Sequence, residues 1–202
     1  MSFASVVLRR LFLLAALLPA VVMARTAEDI VVRGSAASSC TLTFQGVDYR
    51  CALGKNGIAP AGEKEEGDMR TPTGRFRVRR GYYRQDRLAA PTSALDLTPL
   101  QPTDGWCDDS SSADYYNKPV SLPSAYSAEH LWREDGLYDA FAVIEYNTEP
   151  APVPGAGSAI FFHVASDGYG PTAGCVSMAL KDLLSVFSAV KPRDQFIDIG
   201  LA

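Results

Sequence analysis

Past its first two dozen residues the chain breaks into short β-branched and aromatic runs separated by Gly, Pro and Ser. Residues 30–33, 40–44 and 47–53 read as strands. Gln45-Gly46 lies between the last two and predicts a tight hairpin turn that sets Cys40 opposite Cys51. Residues 54–67 are polar and glycine-bearing, hence an exposed loop. Thr71-Pro72-Thr73-Gly74 reads as a β-turn, with proline supplying a fixed φ and glycine the exit. It feeds a half-buried strand over 75–80, where Phe76 and Val78 alternate with arginines. Residues 91–127 show no period and predict a long irregular loop. Residues 141–146 and 158–164 are apolar strands, the second buried on both faces. Leu180, Leu183, Leu184 and Phe187 repeat at i, i+3, i+4 and i+7, which predicts a helix. Ser177 is its expected N-cap and Pro192 lies beyond its end. A short strand at 196–199 closes a β-rich chain with one clear C-terminal helix.

The N-terminus has a different pattern. Arg9 and Arg10 precede an unbroken apolar run over 11–18, Pro19 breaks it, and Val22-Met23-Ala24 resembles a signal-peptidase site. Residues 1–24 are therefore read as a signal peptide and 25–202 as one domain, located in the periplasm or cell envelope. The apolar stretch is short of the roughly 20 residues a membrane span needs, so no stable span is expected after processing. Arg9-Arg10 fits both the general secretory and the twin-arginine routes. Removing residues 1–24 takes away two arginines and no acid, moving the formal charge from −4 to −6. Such a body has no electrostatic footprint for nucleic acid. Export implies an oxidising compartment, in which a Cys40–Cys51 disulfide is expected and Cys107 and Cys175 remain.

Only two histidines are present, His130 and His163. His163 ends an apolar strand, and twelve residues later Gly174-Cys175 precedes the expected helix. A strand end and a helix start joined by a short loop bring an imidazole to a thiol. On that reading the helix N-terminus and the imidazole lower the Cys175 pKa toward thiolate. The N–H groups of Gly174 and Cys175 then face a developing oxyanion. The bland alternative is a buried small hydrophobe and a satisfied core histidine. Two histidines and scattered cysteines do not make a zinc site, and no metal or cofactor is expected.

These residues resemble a known family. Thr172-Ala173-Gly174-Cys175-Val176-Ser177 is similar to the [Ser/Thr]-x-Gly-Cys-[Val/Ile]-Arg signature of L,D-transpeptidases with a YkuD-like catalytic domain, with His163 at the upstream histidine. Thr71-Pro72-Thr73-Gly74-Arg75-Phe76 is similar to the Thr-Pro-Thr-Gly-x-Phe segment of the same family. The resemblance implies a β-rich, sandwich- or barrel-like sheet around a Cys–His cleft, acting on peptidoglycan stem peptides. It implies that Cys175 attacks the L-centre carbonyl of the third stem residue and expels D-alanine. An amine acceptor then resolves the thioester. Carbapenems are the expected covalent inhibitors, and the Val164 carbonyl the expected partner orienting His163, with Asp167 a competitor for that role. The chain departs from the pattern at Ser177, where most members have Arg, at Ala173, where many have a second His, and at Val164, where Gly or Ser is common.

Those departures keep two rivals open, an L,D-carboxypeptidase or amidase using water and an inactive peptidoglycan-binding relative; a papain-like protease is a weaker reading, because there the Cys lies far upstream of the His, the reverse of the order here. Thr172, Ser177 and Tyr146 are further candidates for shaping the site. The acidic stretch 104–109 reads first as a solvated loop with Asp capping its turns, and Trp106 and Asp108 line a peptide groove only if the long loop folds over the cleft. It lacks the spacing of a calcium loop. His130 reads as structural.

Overall fold

The computed structural model describes residues 29–34, 37–191 and 195–202, so the signal peptide read over 1–24 and the Pro192 stop lie outside the described residues. In chain order the elements are β1 (Ile30–Gly34), β2 (Ser39–Phe44), β3 (Val47–Ala52), β4 (Ile58–Ala59), β5 (Thr71–Pro72), β6 (Gly74–Arg77), β7 (Arg80–Tyr83) and β8 (Asp96–Pro99). There follow β9 (Asp104–Cys107), β10 (Pro119–Ser121), β11 (Ala128–His130), β12 (Ala140–Val143), β13 (Phe161–Val164), β14 (Val176–Met178), α1 (Leu180–Ala189) and β15 (Phe196–Leu201).

Ten strands form one curled sheet in the order β6-β15-β1-β2-β3-β14-β13-β12-β7-β8. Its hairpin β2–β3 turns on Gln45 and Gly46, both at positive φ (50° and 77°), the twist a two-residue hairpin needs. That turn sets Cys40 opposite Cys51, and the two form a disulfide.

The sheet buries both faces because adjacent residues of its central strands point opposite ways. Ala142, Phe162, Val176 and Met178 face a core completed by Leu183, Val186 and Phe187 of α1. Each such large apolar side chain contributes roughly 1.5–3 kcal/mol on burial. Phe141, Val143, Phe161 and Cys175 face a second core with Trp106, Leu131 and Tyr138. The cover on that side is a three-stranded sheet in the order β10-β9-β11. Among the described residues no helix is long and apolar enough to cross a membrane.

Four expectations need correction. Ser177 caps no helix: it is the middle residue of β14, and α1 starts at Leu180 behind Ala179 with no side-chain cap. The segment 71–74 is no turn but two extended pieces, β5 pairing with β4 and β6 with β15. The strand expected over 75–80 is split at Val78, whose N–H bonds the Gln195 carbonyl while its side chain enters the core. The excursion over 91–127 is not irregular: β8 joins the large sheet, while β9 and β10 build most of the small one.

Candidate active site

β13 and β14 run parallel, with Phe162 beside Val176, His163 beside Ser177 and Val164 beside Met178. The alternation that sends Phe162 and Val176 to the α1 side sends His163 and Ser177 to the other. Cys175 is the residue before β14, against Phe161, whose N–H reaches the sulfur at 3.3 Å. The thiol in turn donates to the Ala159 carbonyl at 3.3 Å. Cys175 is not in a disulfide, and it lines a cavity of about 490 Å³ together with His163 and Ser177.

His163 Nδ1 lies 2.8 Å from the Val164 carbonyl. A carbonyl only accepts, so Nδ1 carries the proton and Nε2 is the basic nitrogen. The Tyr138 ring packs edge-on against the imidazole at 5.4 Å and fixes its plane. Asp167 sits in a short 3₁₀ turn and makes no hydrogen bond to His163.

Both reactive groups are buried and neutral. Burial lowers the His163 pKa to about 4, and burial, reinforced by the nearby Glu129 charge, pushes the Cys175 thiol up to about 12. The expectation of a preformed thiolate therefore fails. The residue after Cys175 begins a strand, not a helix, so no helix terminus offsets the cost of desolvating a sulfur anion.

The loop carrying Cys175 is held by two threonines. Thr172 Oγ1 donates to the Cys175 carbonyl at 2.7 Å and accepts the Gly174 N–H at 3.1 Å. Thr71 Oγ1 donates to the same carbonyl at 3.4 Å and accepts the Gly54 N–H at 2.9 Å. The two sequence motifs thus meet at one carbonyl. The Gly174 N–H, an expected oxyanion donor, is already engaged, whereas no hydrogen bond to the Cys175 N–H occurs among the described residues. Gly174 itself has φ +147°, and a Cβ there would lie 2.9 Å from the Arg70 carbonyl oxygen.

The remaining candidates separate clearly. Thr172 and Asp108 line the cavity. Trp106 does not: it is fully buried behind it, with Nε1 donating to Asn117. Tyr146 is also away from it, its hydroxyl bonded to the Ala156 carbonyl and its ring against Phe76. His130 is exposed, with Nε2 near the Pro102 carbonyl, and Cys107 is free and buried in β9. The sequence reading missed Glu129, Tyr138 and Arg133, which line the cavity from β11 and the segment after it. No local pattern marks them. Among the described residues no cluster of His, Cys, Asp and Glu is placed to hold a metal.

The buried imidazole predicts an acid-sensitive fold. Above pH 6.5 folded and unfolded chains both hold His163 neutral. As pH falls toward about 4 the unfolded chain takes a proton that the folded one refuses, so stability is lost. Urea unfolding should show His163 contributing a loss of about 2 kcal/mol between pH 7 and pH 5. The same comparison in His163→Phe should lack that contribution.

Comparisons with curated proteins and with solved structures return no match. The family model for YkuD, the L,D-transpeptidase catalytic domain, matches residues 38–198, a span holding both threonine clamps, His163 and Cys175. The chain therefore belongs to the YkuD family of L,D-transpeptidase catalytic domains.

Proposed function

We propose that the chain is a peptidoglycan L,D-transpeptidase in which Cys175 is the nucleophile and His163 the general base and acid. The observation that carries this reading is a disulfide-free thiol and a basic imidazole nitrogen on the walls of one cavity. The thiol attacks the L-centre carbonyl of the third stem residue as its proton passes to Nε2. Because sulfur and imidazole are both neutral at rest, charge separates only as the C–S bond forms. The Val164 carbonyl steadies the imidazolium, and the Cys175 N–H is the candidate donor to the oxyanion. The imidazolium returns its proton to the departing D-alanine amine, leaving a thioester. An acceptor amine resolves it and completes a 3→3 cross-link. Carbapenems are proposed to acylate the same sulfur.

A second reading, hydrolysis of the thioester by water, is favoured by Ser177 and Ala173, because the chain lacks the arginine and second histidine of the related signature. Loss of a fixed cation bears on which acceptor is held, not on acylation. Residues 1–24 are proposed to direct export to the cell envelope, where an oxidising milieu suits the Cys40–Cys51 bond.

The test is to incubate the mature protein with disaccharide tetrapeptide and identify products by mass spectrometry. Cross-linked dimers are the expected result. Tripeptide monomers alone assign the chain to the hydrolytic reading, and unchanged substrate contradicts both.

A further inference from the structure

The cavity that holds Cys175 is also lined by Asp108 and Glu129, two acids that the described cations compensate only weakly. Of the two cations lining the cavity, Lys64 is engaged by Asp68 at 2.7 Å and by the Glu65 carbonyl at 2.6 Å. Arg133 grips Asp135, with Nε at 3.0 Å, and comes no nearer than 3.8 Å to Glu129. Among the described residues Glu129 otherwise receives only the Tyr138 hydroxyl, at 2.6 Å. Asp108 Oδ1 is buried without a hydrogen-bond partner among the described residues. The hydroxyl of Ser177, a residue 1% exposed, lines the same cavity and is also without a partner among the described residues.

Buried polar atoms left unpaired are costly, and two of them here line one cavity beside a carboxylate. The donor set does not fit a metal among the described residues. It fits a group that brings N–H donors and positive charge together. A primary ammonium has three N–H donors and no acceptor, and the carboxylates of Asp108 and Glu129 with the Ser177 hydroxyl supply acceptors only or a hydroxyl free to accept. Burial raises the Glu129 pKa, and repulsion from Asp108 adds to it in a smaller measure. An arriving cation relieves that repulsion.

We infer that Asp108 and Glu129, with the Ser177 hydroxyl, form a subsite for a primary ammonium group carried by the peptide that reaches Cys175. The identity of that peptide rests on the function proposed above. Glu129 lies in β11 and Asp108 directly follows β9, so the small sheet covering the cavity carries the charge-selecting acids, while Ser177 comes from β14 of the large sheet.

Titration calorimetry on the Cys175→Ala chain, which has no nucleophile, tests binding apart from turnover. The probes are L-Ala-γ-D-Glu-meso-diaminopimelate-D-Ala and its copy acetylated on the side-chain amine. Charge-assisted hydrogen bonds predict a preference of about tenfold or more for the free amine. In Asp108→Asn/Glu129→Gln on the same background, that ratio should fall to within about twofold. A second arm uses wild-type chain acylated at Cys175 by a carbapenem and titrated with the tripeptide, free and acetylated. Preference in the first arm places the ammonium on the donor, and preference only in the second places it on the acceptor. Absence of any preference, or one that survives removal of both charges, overturns the subsite. Preference without turnover of the tetrapeptide by the wild type sinks the transpeptidase reading alone. Turnover without preference sinks the subsite alone.

Discussion

Replacing His163 with alanine should slow acylation of Cys175 by about 10²–10⁴-fold, the range expected for loss of a positioned base. The effect is large because the thiol has no other route to its anion: burial pushes its pKa to about 12, and no helix terminus supports the charge. Nε2 is the nitrogen placed to take the proton, since Nδ1 is bound to the Val164 carbonyl. Stopped-flow or timed mass measurements with a carbapenem give the rate. The pH profile separates a chemical role from a structural one. In the wild type the rate should fall as pH drops toward about 4, where the imidazole takes up a proton. In His163→Ala that acid limb should be absent, with the residual rate rising only as the thiol itself ionises.

Gly174→Ala should reduce acylation by about 10²–10³-fold, as loss of an oxyanion donor does. The added methyl meets the Arg70 backbone carbonyl, which cannot swing aside as a side chain can, and φ +147° is a conformation that alanine rarely adopts. Relief requires the 172–175 segment to move, although the Thr71 and Thr172 hydroxyls both hold its Cys175 carbonyl. The Cys175 N–H and sulfur then leave their aim together. Backbone strain of this kind costs about 1–3 kcal/mol, so unfolding measurements should show a destabilised chain that still folds. A variant with unchanged acylation would mean that the backbone amide at Cys175 contributes nothing.

The parts of the fold that were legible in the sequence are those with local causes. Gln45-Gly46 fixes the register of β2 and β3, and the spacing of Leu180, Leu183, Leu184 and Phe187 shows one face of a helix. β14 was not legible, because three residues buried on both faces show no alternation. That omission carried into the chemistry: with α1 drawn back to Ser177, the thiol was given a helix dipole that it lacks. The small sheet was hidden for a related reason, since β9, β10 and β11 are three or four residues long and pair across gaps with no period of their own. Glu129 reaches the cavity only through that sheet's placement over it. Cys175 and His163 stood out because a Gly-Cys step and a strand-end histidine are rare enough to weigh together.

The most direct test of the central claim is to treat the mature protein with a carbapenem and map the adduct by peptide mass spectrometry. One covalent modification is predicted, on the sulfur of Cys175, absent from Cys175→Ala and slow to form in His163→Ala. An adduct on Cys107, or none on a chain shown to be folded, would contradict it.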